Sequence, residues 1–142
     1  MADALALSTD LVVYAARAVR MIRHMHDNPA DTRVLSLLDQ HGAVSVTGLA
    51  GLDNCAQPTM SAAVSNLVKT GLAAKQANPD DARGTVVTLT DAGRQELIDR
   101  RTAFGATVLE RLVAAGHTEA DLATAVAVLR GLLGTDTSGG NK

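Results

Sequence analysis

The stretch PTMSAAVSNLVKTGLAAKQANPDDARGTVVTLTDAGR, Pro58 to Arg94, decides the fold. Its first part predicts a helix, because Pro58 stands where a first-turn proline belongs and Gly71 where a terminating glycine belongs. Two strand-like segments, LAAKQA and TVVTL, follow on either side of NPDDARG. They predict a β-hairpin with a rather long tip, on which Arg83 is the single cation.

Helical patterns occupy the chain before this stretch. Apolar residues at helical spacing predict a first helix over about Ser8–His26, which Asn28 and Pro29 end. A second helix is predicted over about Ala30–Gln40, and Gly42 closes it.

Capping residues mark the starts of the other helices. Ser45 is the expected N-cap of a short third helix, VTGLAGL, and Thr90 that of a long helix to about Ala115. Thr118 and Asp121 resemble a capping box for a last helix. Three helices followed by a two-stranded wing form the winged helix-turn-helix arrangement. The predicted fold is therefore mainly α with a small β-hairpin wing, and the terminal helices need something to pack on.

The composition limits the class of protein. A chain of 142 residues is long enough for one domain with a substantial core and too short for two large ones. The net charge of −2 does not indicate nucleic-acid binding, although a local basic surface is compatible with an acidic rest of the chain. The single cysteine, the acidic N-terminus and the lack of a membrane-length apolar run predict a cytoplasmic protein.

In the helix that contains Pro58, helical spacing places Met60, Val64, Leu67 and Val68 on one side, and the other face is small and polar. In a helix-turn-helix, the second helix reads base edges in the major groove. Glutamine and asparagine suit adenine, proline and alanine suit a thymine methyl group, and lysine suits a phosphate. The DNA-contacting residues predicted on this helix are Gln57, Pro58, Thr59, Ser61, Ala62, Ser65, Asn66 and Lys69. The alternative is an ordinary amphipathic helix with a solvated polar face.

The hairpin carries a second candidate DNA contact. Arg83 is followed by Gly84 and stands two residues after Asp81. An arginine on a hairpin tip suits a narrow minor groove, whose negative potential attracts the guanidinium. Asp81 would orient that arginine as a near-neighbour ion pair. The alternative for this segment is a solvated turn.

Taken in order, these features resemble the MarR family of bacterial regulators. Residues 81–83, Asp-Ala-Arg, match the family's wing pattern Asp-x-Arg. Residues 89–93, Leu-Thr-Asp-Ala-Gly, match the Leu-Thr-x-x-Gly pattern that opens the long helix. The helix order on either side also agrees, so the resemblance covers nearly the whole chain.

The resemblance implies a homodimer whose first and last helices intertwine. It also implies a protein of the bacterial cytosol that is associated with the nucleoid when bound to DNA. It implies binding to a pseudo-palindromic operator, usually as a repressor, with release by a small ligand or by thiol oxidation. By position, Arg83 would be the minor-groove arginine and Asp81 its orienting partner. The expected division is an N-terminal dimerisation helix at 1–30, a DNA-binding lobe at 31–90, C-terminal dimerisation helices at 91–134 and a disordered tail at 135–142.

One departure from the family concerns charge. The recognition helix, which would enter the major groove, is predicted at about 57–70. Family members often carry an arginine near its middle, where this chain has Ala62 and Ala63. Lys69, Lys75 and Arg83 are the only cations in residues 43–90, against three acids. Because few phosphates can then be neutralised, we expect modest affinity and a small salt dependence. Four arginines outside this segment would add to its positive charge if the dimer placed them toward DNA: Arg17, Arg20, Arg23 and Arg33.

Two further features suggest regulation. Cys55 precedes the recognition helix, where a thiolate is favoured electrostatically, and is a candidate redox sensor. The alternative is that Cys55 is a buried residue that only fills space in the core. Thiol sensors of the family usually keep their cysteine near the first helix.

The family also implies an aromatic or phenolic effector, which would bind between the dimer helices and the DNA-binding lobe. With few aromatic residues here, aliphatic contacts from Val34 or Leu38 would dominate.

Other classes of function find little support. The four histidines do not suggest a metal site. His24 and His26 are two residues apart on a helix and do not face one direction, and no cysteine or carboxylate completes a ligand set with His41 or His117. We predict no metal and no cofactor. No nucleophile–base pair, phosphate loop or carboxylate pair suggests an enzyme. The remaining rivals are a winged-helix protein-interaction module and a small-molecule carrier.

Overall fold

The structure is a computed structural model that describes residues 2–25 and 29–134. These residues form six helices and a two-stranded antiparallel sheet, which confirms the predicted fold class. Their bounds are α1 (Ala2–Met25), α2 (Pro29–His41), α3 (Val46–Asp53), α4 (Gln57–Lys69), β1 (Ala73–Asn78), β2 (Asp81–Leu89), α5 (Asp91–Ala114) and α6 (Glu119–Leu133). His26, the helix end predicted at Asn28 and the tail at 135–142 lie outside the described residues.

The chain divides into two compact units, residues 1–102 and residues 103–142. The core of the first unit joins α2, α3, α4 and the hairpin to the first part of α5. Its fully buried side chains include Leu35, Leu49, Leu67 and Leu97. Burying one such leucine stabilises the fold by about 1.5–3 kcal/mol relative to leaving it exposed. The other members of the core cluster are Val34, Leu38, Ala50, Met60, Val64, Ala73 and Val87.

Val34 and Leu38, predicted to line a ligand crevice, lie instead inside this core. Their side chains are only 1% and 2% exposed, respectively. The apolar stripe of α2 packs against α3, α4 and β2. A helix face that meets a core and one that lines an apolar crevice have the same sequence period, so the pattern alone did not distinguish them.

Several helix ends follow their predicted local signals. The Oγ of Ser45 accepts a hydrogen bond from the Gly48 N–H at 3.0 Å and caps α3 as predicted. Gly42 and Gly71 follow α2 and α4 with φ of 77° and 80°. This left-handed conformation costs glycine little and other residues more, which explains why these helices end there.

The bounds of the first two helices differ from the prediction. α1 begins at Ala2 rather than near Ser8, and it ends at Met25. Pro29 begins α2 instead of ending α1. A first-turn proline lacks only an N–H that would have no partner within the helix, so one proline is compatible with either role.

The hairpin is attached to the rest of the first unit along its β2 edge. β1 and β2 pair from Ala73 opposite Leu89 to Ala77 opposite Thr85. On the other side of β2, the Val44 N–H donates to the Val87 oxygen at 3.1 Å, and the Val87 N–H donates to the Val44 oxygen at 2.7 Å. This isolated bridge lies just before α3 and left no strand pattern in the sequence.

Thr90 joins the end of α4 to the start of α5. Its Oγ1 accepts a hydrogen bond from the Gly93 N–H at 3.0 Å, as the predicted N-cap should. The same hydroxyl donates to the Gly71 oxygen at 2.6 Å, and the Thr90 N–H donates to the Leu72 oxygen at 3.3 Å. One residue therefore ties the turn after α4 to the helix that leaves the wing.

The terminal helices keep many apolar side chains exposed within a single chain. On α1 these are Leu5, Leu7, Leu11, Val12, Val13, Tyr14, Val19 and Met25. In the second unit they are Leu109, Val113, Val126, Val128, Leu129, Leu132 and Leu133. None of the helices within residues 2–25 and 29–134 combines the length and apolarity that crossing a membrane requires.

The predicted capping box of the last helix is confirmed. The Thr118 Oγ1 accepts a hydrogen bond from the Asp121 N–H at 3.2 Å, and the Asp121 carboxylate accepts one from the Thr118 N–H at 2.9 Å. Each residue satisfies a backbone donor that the first turn of α6 would otherwise leave without a partner.

Candidate nucleic-acid interface

α3 and α4 are joined by a tight, fully bonded turn. Asn54 adopts φ 54° and ψ 47° after α3, a left-handed conformation that asparagine tolerates better than most residues. The Asn54 N–H donates to the Gly51 oxygen at 3.3 Å, and the Cys55 N–H donates to the Ala50 oxygen at 3.0 Å. These two bonds form a Schellman motif, which fixes the direction in which the chain enters α4.

α4 has one buried face and one exposed face. Met60, Val64 and Leu67 are buried in the core, at the positions that the helical period predicts. The eight residues predicted to contact DNA, which we call the polar face, are all exposed: Gln57, Pro58, Thr59, Ser61, Ala62, Ser65, Asn66 and Lys69. Small side chains predominate on this face, so a partner can approach the helix backbone closely.

The first turn of α4 is also open to a partner. Its N-cap residue, Ala56, has no side chain that can accept a hydrogen bond from the helix. Pro58 occupies the first turn and brings no N–H. The remaining N–H groups of that turn have no partner within the helix, and helix N-termini with such groups suit phosphate oxygens.

Asn66 has a partner that the sequence did not suggest. Its Nδ2 donates a hydrogen bond to Oδ2 of Asp31 at 3.1 Å. Asp31 lies in the first turn of α2, 35 residues earlier in the chain. No local pattern links two residues so far apart, and only the packing of α2 against α4 brings them together.

The tip of the wing is shorter than predicted, and Arg83 lies beside it. β2 begins at Asp81, so Pro79 and Asp80 alone connect the strands. Asn78 pairs with Asp81, whereas Ala77 pairs with Thr85. The three residues at 82–84, including Arg83 and Gly84, therefore bulge from β2 without partners on β1. The sequence did not predict the bulge, because an exposed turn and an irregular strand end have similar compositions.

Asp81 contacts the backbone of Arg83 rather than its side chain. Oδ1 of Asp81 accepts a hydrogen bond from the Arg83 N–H at 3.0 Å. Within residues 2–25 and 29–134, no carboxylate forms an ion pair with the Arg83 guanidinium. The predicted ion pair is thus replaced by a backbone contact that shapes the bulge, and the arginine side chain is exposed.

Cys55 lies in surroundings that favour its thiol form. The residue is half-buried and packs against the core cluster. Burial raises the pKa of the Cys55 thiol above its ordinary value, and the neighbouring Asp53 carboxylate raises it further, while Arg33 acts in the opposite direction. The electrostatic argument for a reactive thiolate before α4 is therefore outweighed at this position.

The cations near the polar face differ in their availability. Lys69, Lys75 and Arg83 are exposed. Arg33, which was expected to supplement them, donates from Nε to Oδ1 of Asp53 at 3.0 Å and is engaged within the first unit. On α1, the Arg17 guanidinium carbon lies 5.5 Å from the centre of the Tyr14 ring.

Comparisons with known proteins agree with this geometry. The MarR family model matches residues 28–85 of the chain, from the start of α2 into β2. No curated protein matches the sequence.

Solved structures extend the likeness to the whole fold. Wild-type apo MarR from E. coli is 19% identical with a TM-score of 0.69, covering 90% of this chain and 97% of that one. A protein from Pseudomonas aeruginosa PA01 is 22% identical with a TM-score of 0.72, covering 100% and 99%. The multiple antibiotic resistance repressor MarR is 20% identical with a TM-score of 0.70, covering 90% and 95%. Residues 28–85 therefore match the MarR family model, and the chain has the fold of the solved MarR structures.

Proposed function

We propose that this chain is a DNA-binding transcriptional regulator that recognises a specific operator as a homodimer and represses transcription. The observation that carries the proposal is the polar face of α4. Its eight residues are exposed, while the opposite side of the same helix builds the core. Such a helix can enter a major groove without any core side chain being displaced.

In the proposed complex, the wing supplies a second contact. Arg83 enters the minor groove beside the operator bases that α4 reads. Its exposed side chain and the absence of an ion-pair partner among the described residues support this role, because no internal bond must break on binding. Asp81 contributes by holding the Arg83 backbone through its 3.0 Å hydrogen bond.

The proposed homodimer forms through the terminal helices. In one chain, Leu5 is 73% exposed, Val12 is 64% exposed and Leu133 is 79% exposed. Association that removes such side chains from water is favourable, at about 25 cal/mol per Å² of apolar surface. A symmetric dimer presents two copies of α4, which suit a pseudo-palindromic operator with half-sites about 34–36 Å apart.

The repressor role and release by a ligand rest on the family. One of the solved neighbours is named a multiple antibiotic resistance repressor. By analogy, we propose that this chain blocks transcription when bound and leaves DNA when a small aromatic or phenolic effector binds. The effector would bind somewhere other than at Val34 and Leu38, because the core occupies both side chains. Displacement of labelled operator by a panel of simple phenols, measured by fluorescence anisotropy, tests this extension.

The experiment that tests the main proposal starts from a random DNA pool. The full-length protein is used to select bound sequences, and the enriched sequence is then titrated by fluorescence anisotropy with competitor DNA at several salt concentrations. We expect saturable binding of two subunits per site. With three cations per lobe in residues 43–90, we expect a log–log salt slope no steeper than about −5. No enrichment, or equal binding to every sequence, would contradict the proposal and favour a protein-interaction module.

A further inference from the structure

Asn66 is distinguished from the other residues of the polar face by having a fixed partner. Its side-chain amide donates to Asp31 at 3.1 Å. For the described part of the chain, no hydrogen bond to another side chain is formed by Gln57, Thr59, Ser61 or Ser65. The side chain of Asn66 is exposed, so the contact leaves one edge of its amide open to an incoming ligand.

The chemistry of Asp31 decides which way this amide is turned. The two ends of an asparagine amide have nearly the same shape, but one end donates and the other accepts. A carboxylate only accepts, so Nδ2 must face Asp31. Turning the amide over would place Oδ1 against the carboxylate and exchange a hydrogen bond for a repulsive contact. The contact therefore leaves Oδ1 and the second N–H of Asn66 in one fixed arrangement.

We propose that Asp31 is a positioning residue for base readout: by holding the amide of Asn66, it selects the base edge that Asn66 can bind. This inference rests on the proposed DNA-binding function. A major-groove edge that offers a donor beside an acceptor, as adenine does with N6 and N7, fits the orientation that Asp31 imposes. A base edge on which donor and acceptor are exchanged would require the amide to be turned over, so Asn66 rejects it.

A role in holding α2 and α4 together is a weaker explanation of this contact. The two helices already share the core through Leu35, Val64 and Leu67, each 0% exposed. A hydrogen bond between solvent-accessible side chains adds little to such packing. Removing the carboxylate should therefore change which bases are selected while the protein remains folded.

The test compares base preference among four full-length proteins: wild type, Asn66→Ala, Asp31→Asn and Asp39→Asn. Asp31→Asn keeps the size and a hydrogen-bonding group but accepts either orientation of the Asn66 amide. Asp39→Asn is the matched control, since it removes the same charge from α2 at a residue that binds Arg101 at 3.2 Å. Each base pair of the selected operator is substituted in turn, and the ratio of affinities is measured.

We expect Asn66→Ala and Asp31→Asn to lose discrimination at the same base pair, by about five-fold or more, whereas Asp39→Asn retains it. Both aspartate variants should bind all sequences somewhat better, because a negative charge is lost, and the affinity ratios cancel this effect. In the DNA-free protein, the Asn66 side-chain amide signals in NMR spectra should shift in Asp31→Asn and stay unchanged in Asp39→Asn.

The outcomes separate this inference from the function on which it rests. If wild-type protein selects no sequence, the proposed function fails and the inference falls with it. If wild type selects an operator but Asp31→Asn keeps full discrimination at every base pair, Asp31 is only structural and the inference alone is overturned. Discrimination that survives Asn66→Ala overturns it as well, because Asp31 would then orient a group that reads nothing.

Discussion

Gly93, in the first turn of α5, lies against the backbone at Leu72, where a Cβ atom added to it would overlap the Leu72 carbonyl oxygen. That oxygen also accepts the Thr90 N–H at 3.3 Å. The Leu72 carbonyl is a main-chain group held by this hydrogen bond, so it cannot move aside as a flexible side chain would. The glycine in the family's Leu-Thr-x-x-Gly pattern is thus required by the close approach of α5 to the end of α4.

We therefore expect Gly93→Ala to destabilise the protein by at least about 2 kcal/mol, because relief of the overlap must separate α5 from the base of the wing. Gly51→Ala is the matched control, since Gly51 is an exposed helical glycine of the same unit with nothing within 4 Å of an added Cβ. Alanine at that position should be neutral or stabilise by up to about 1 kcal/mol. Chemical unfolding measures both values, and equal stability of the two variants would refute this account of Gly93.

Replacement of Arg83 tests the wing directly. We expect Arg83→Ala to weaken operator binding at least a few-fold and to reduce the salt slope by about 1 for each subunit, while the unfolding midpoint stays the same. The side chain is exposed and forms no ion pair within the described residues, so its loss costs the fold little.

Arg83→Lys separates charge from shape in the same measurement. Lysine keeps the positive charge but not the planar guanidinium, so it should restore the salt slope and only part of the affinity. Anisotropy titrations of both variants at several salt concentrations measure the operator affinity and the salt slope. Affinity equal to wild type in Arg83→Ala would remove the wing from the binding mechanism.

The sequence predicted many of the features that depend on neighbouring residues, although the Asp81–Arg83 ion pair was a wrong local prediction. The apolar period of α4 gave Met60, Val64 and Leu67 as its buried side, and the structure agrees. Thr90 and Thr118 are N-caps as predicted, because a cap depends only on one residue and the turn that follows it. Periodicity and capping need no knowledge of the remote chain.

Other features escaped prediction because the surroundings of their residues come from far along the chain. The Asp31–Asn66 contact spans 35 residues, and the bridge between Val44 and Val87 joins a predicted strand to a segment that has no strand pattern. The helical period identifies Val34 and Leu38 as part of an apolar face, but it does not identify what covers that face. Only tertiary packing supplies that information.

The pKa of Cys55 gives a prediction about reactivity. Because burial and the Asp53 carboxylate raise that pKa above its ordinary value of 9.0, little thiolate is present near neutral pH. We expect the folded protein to react with iodoacetamide more slowly than the unfolded chain across pH 7–9. Operator binding by wild type and Cys55→Ser should respond equally to hydrogen peroxide. Loss of binding in wild type alone would establish Cys55 as a sensor and contradict this expectation.

The same shift has a consequence for stability. A thiol pKa that is higher in the folded state means that the unfolded chain loses its proton first as pH rises. The contribution of Cys55 is therefore fully present below the ordinary pKa of 9.0 and is lost as pH rises through the folded value. Wild type should lose more stability than Cys55→Ser between pH 8 and pH 10 in chemical unfolding. An identical decline in the two proteins would show that Cys55 does not contribute.

The capping box of α6 gives the opposite pH dependence. The Thr118 N–H and the nearby His117 ring hold the pKa of the Asp121 carboxyl below its ordinary value of 3.8. A depressed pKa means that the stabilising contribution is full above pH 3.8 and is lost as pH falls through the folded value. Asp121→Asn should therefore be less stable than wild type at pH 7, and the difference should shrink as pH falls below about 4. Unfolding curves for the two proteins at pH 7, 4 and 3 measure this difference, and a gap of constant size would show that the charge of Asp121 contributes nothing to the cap.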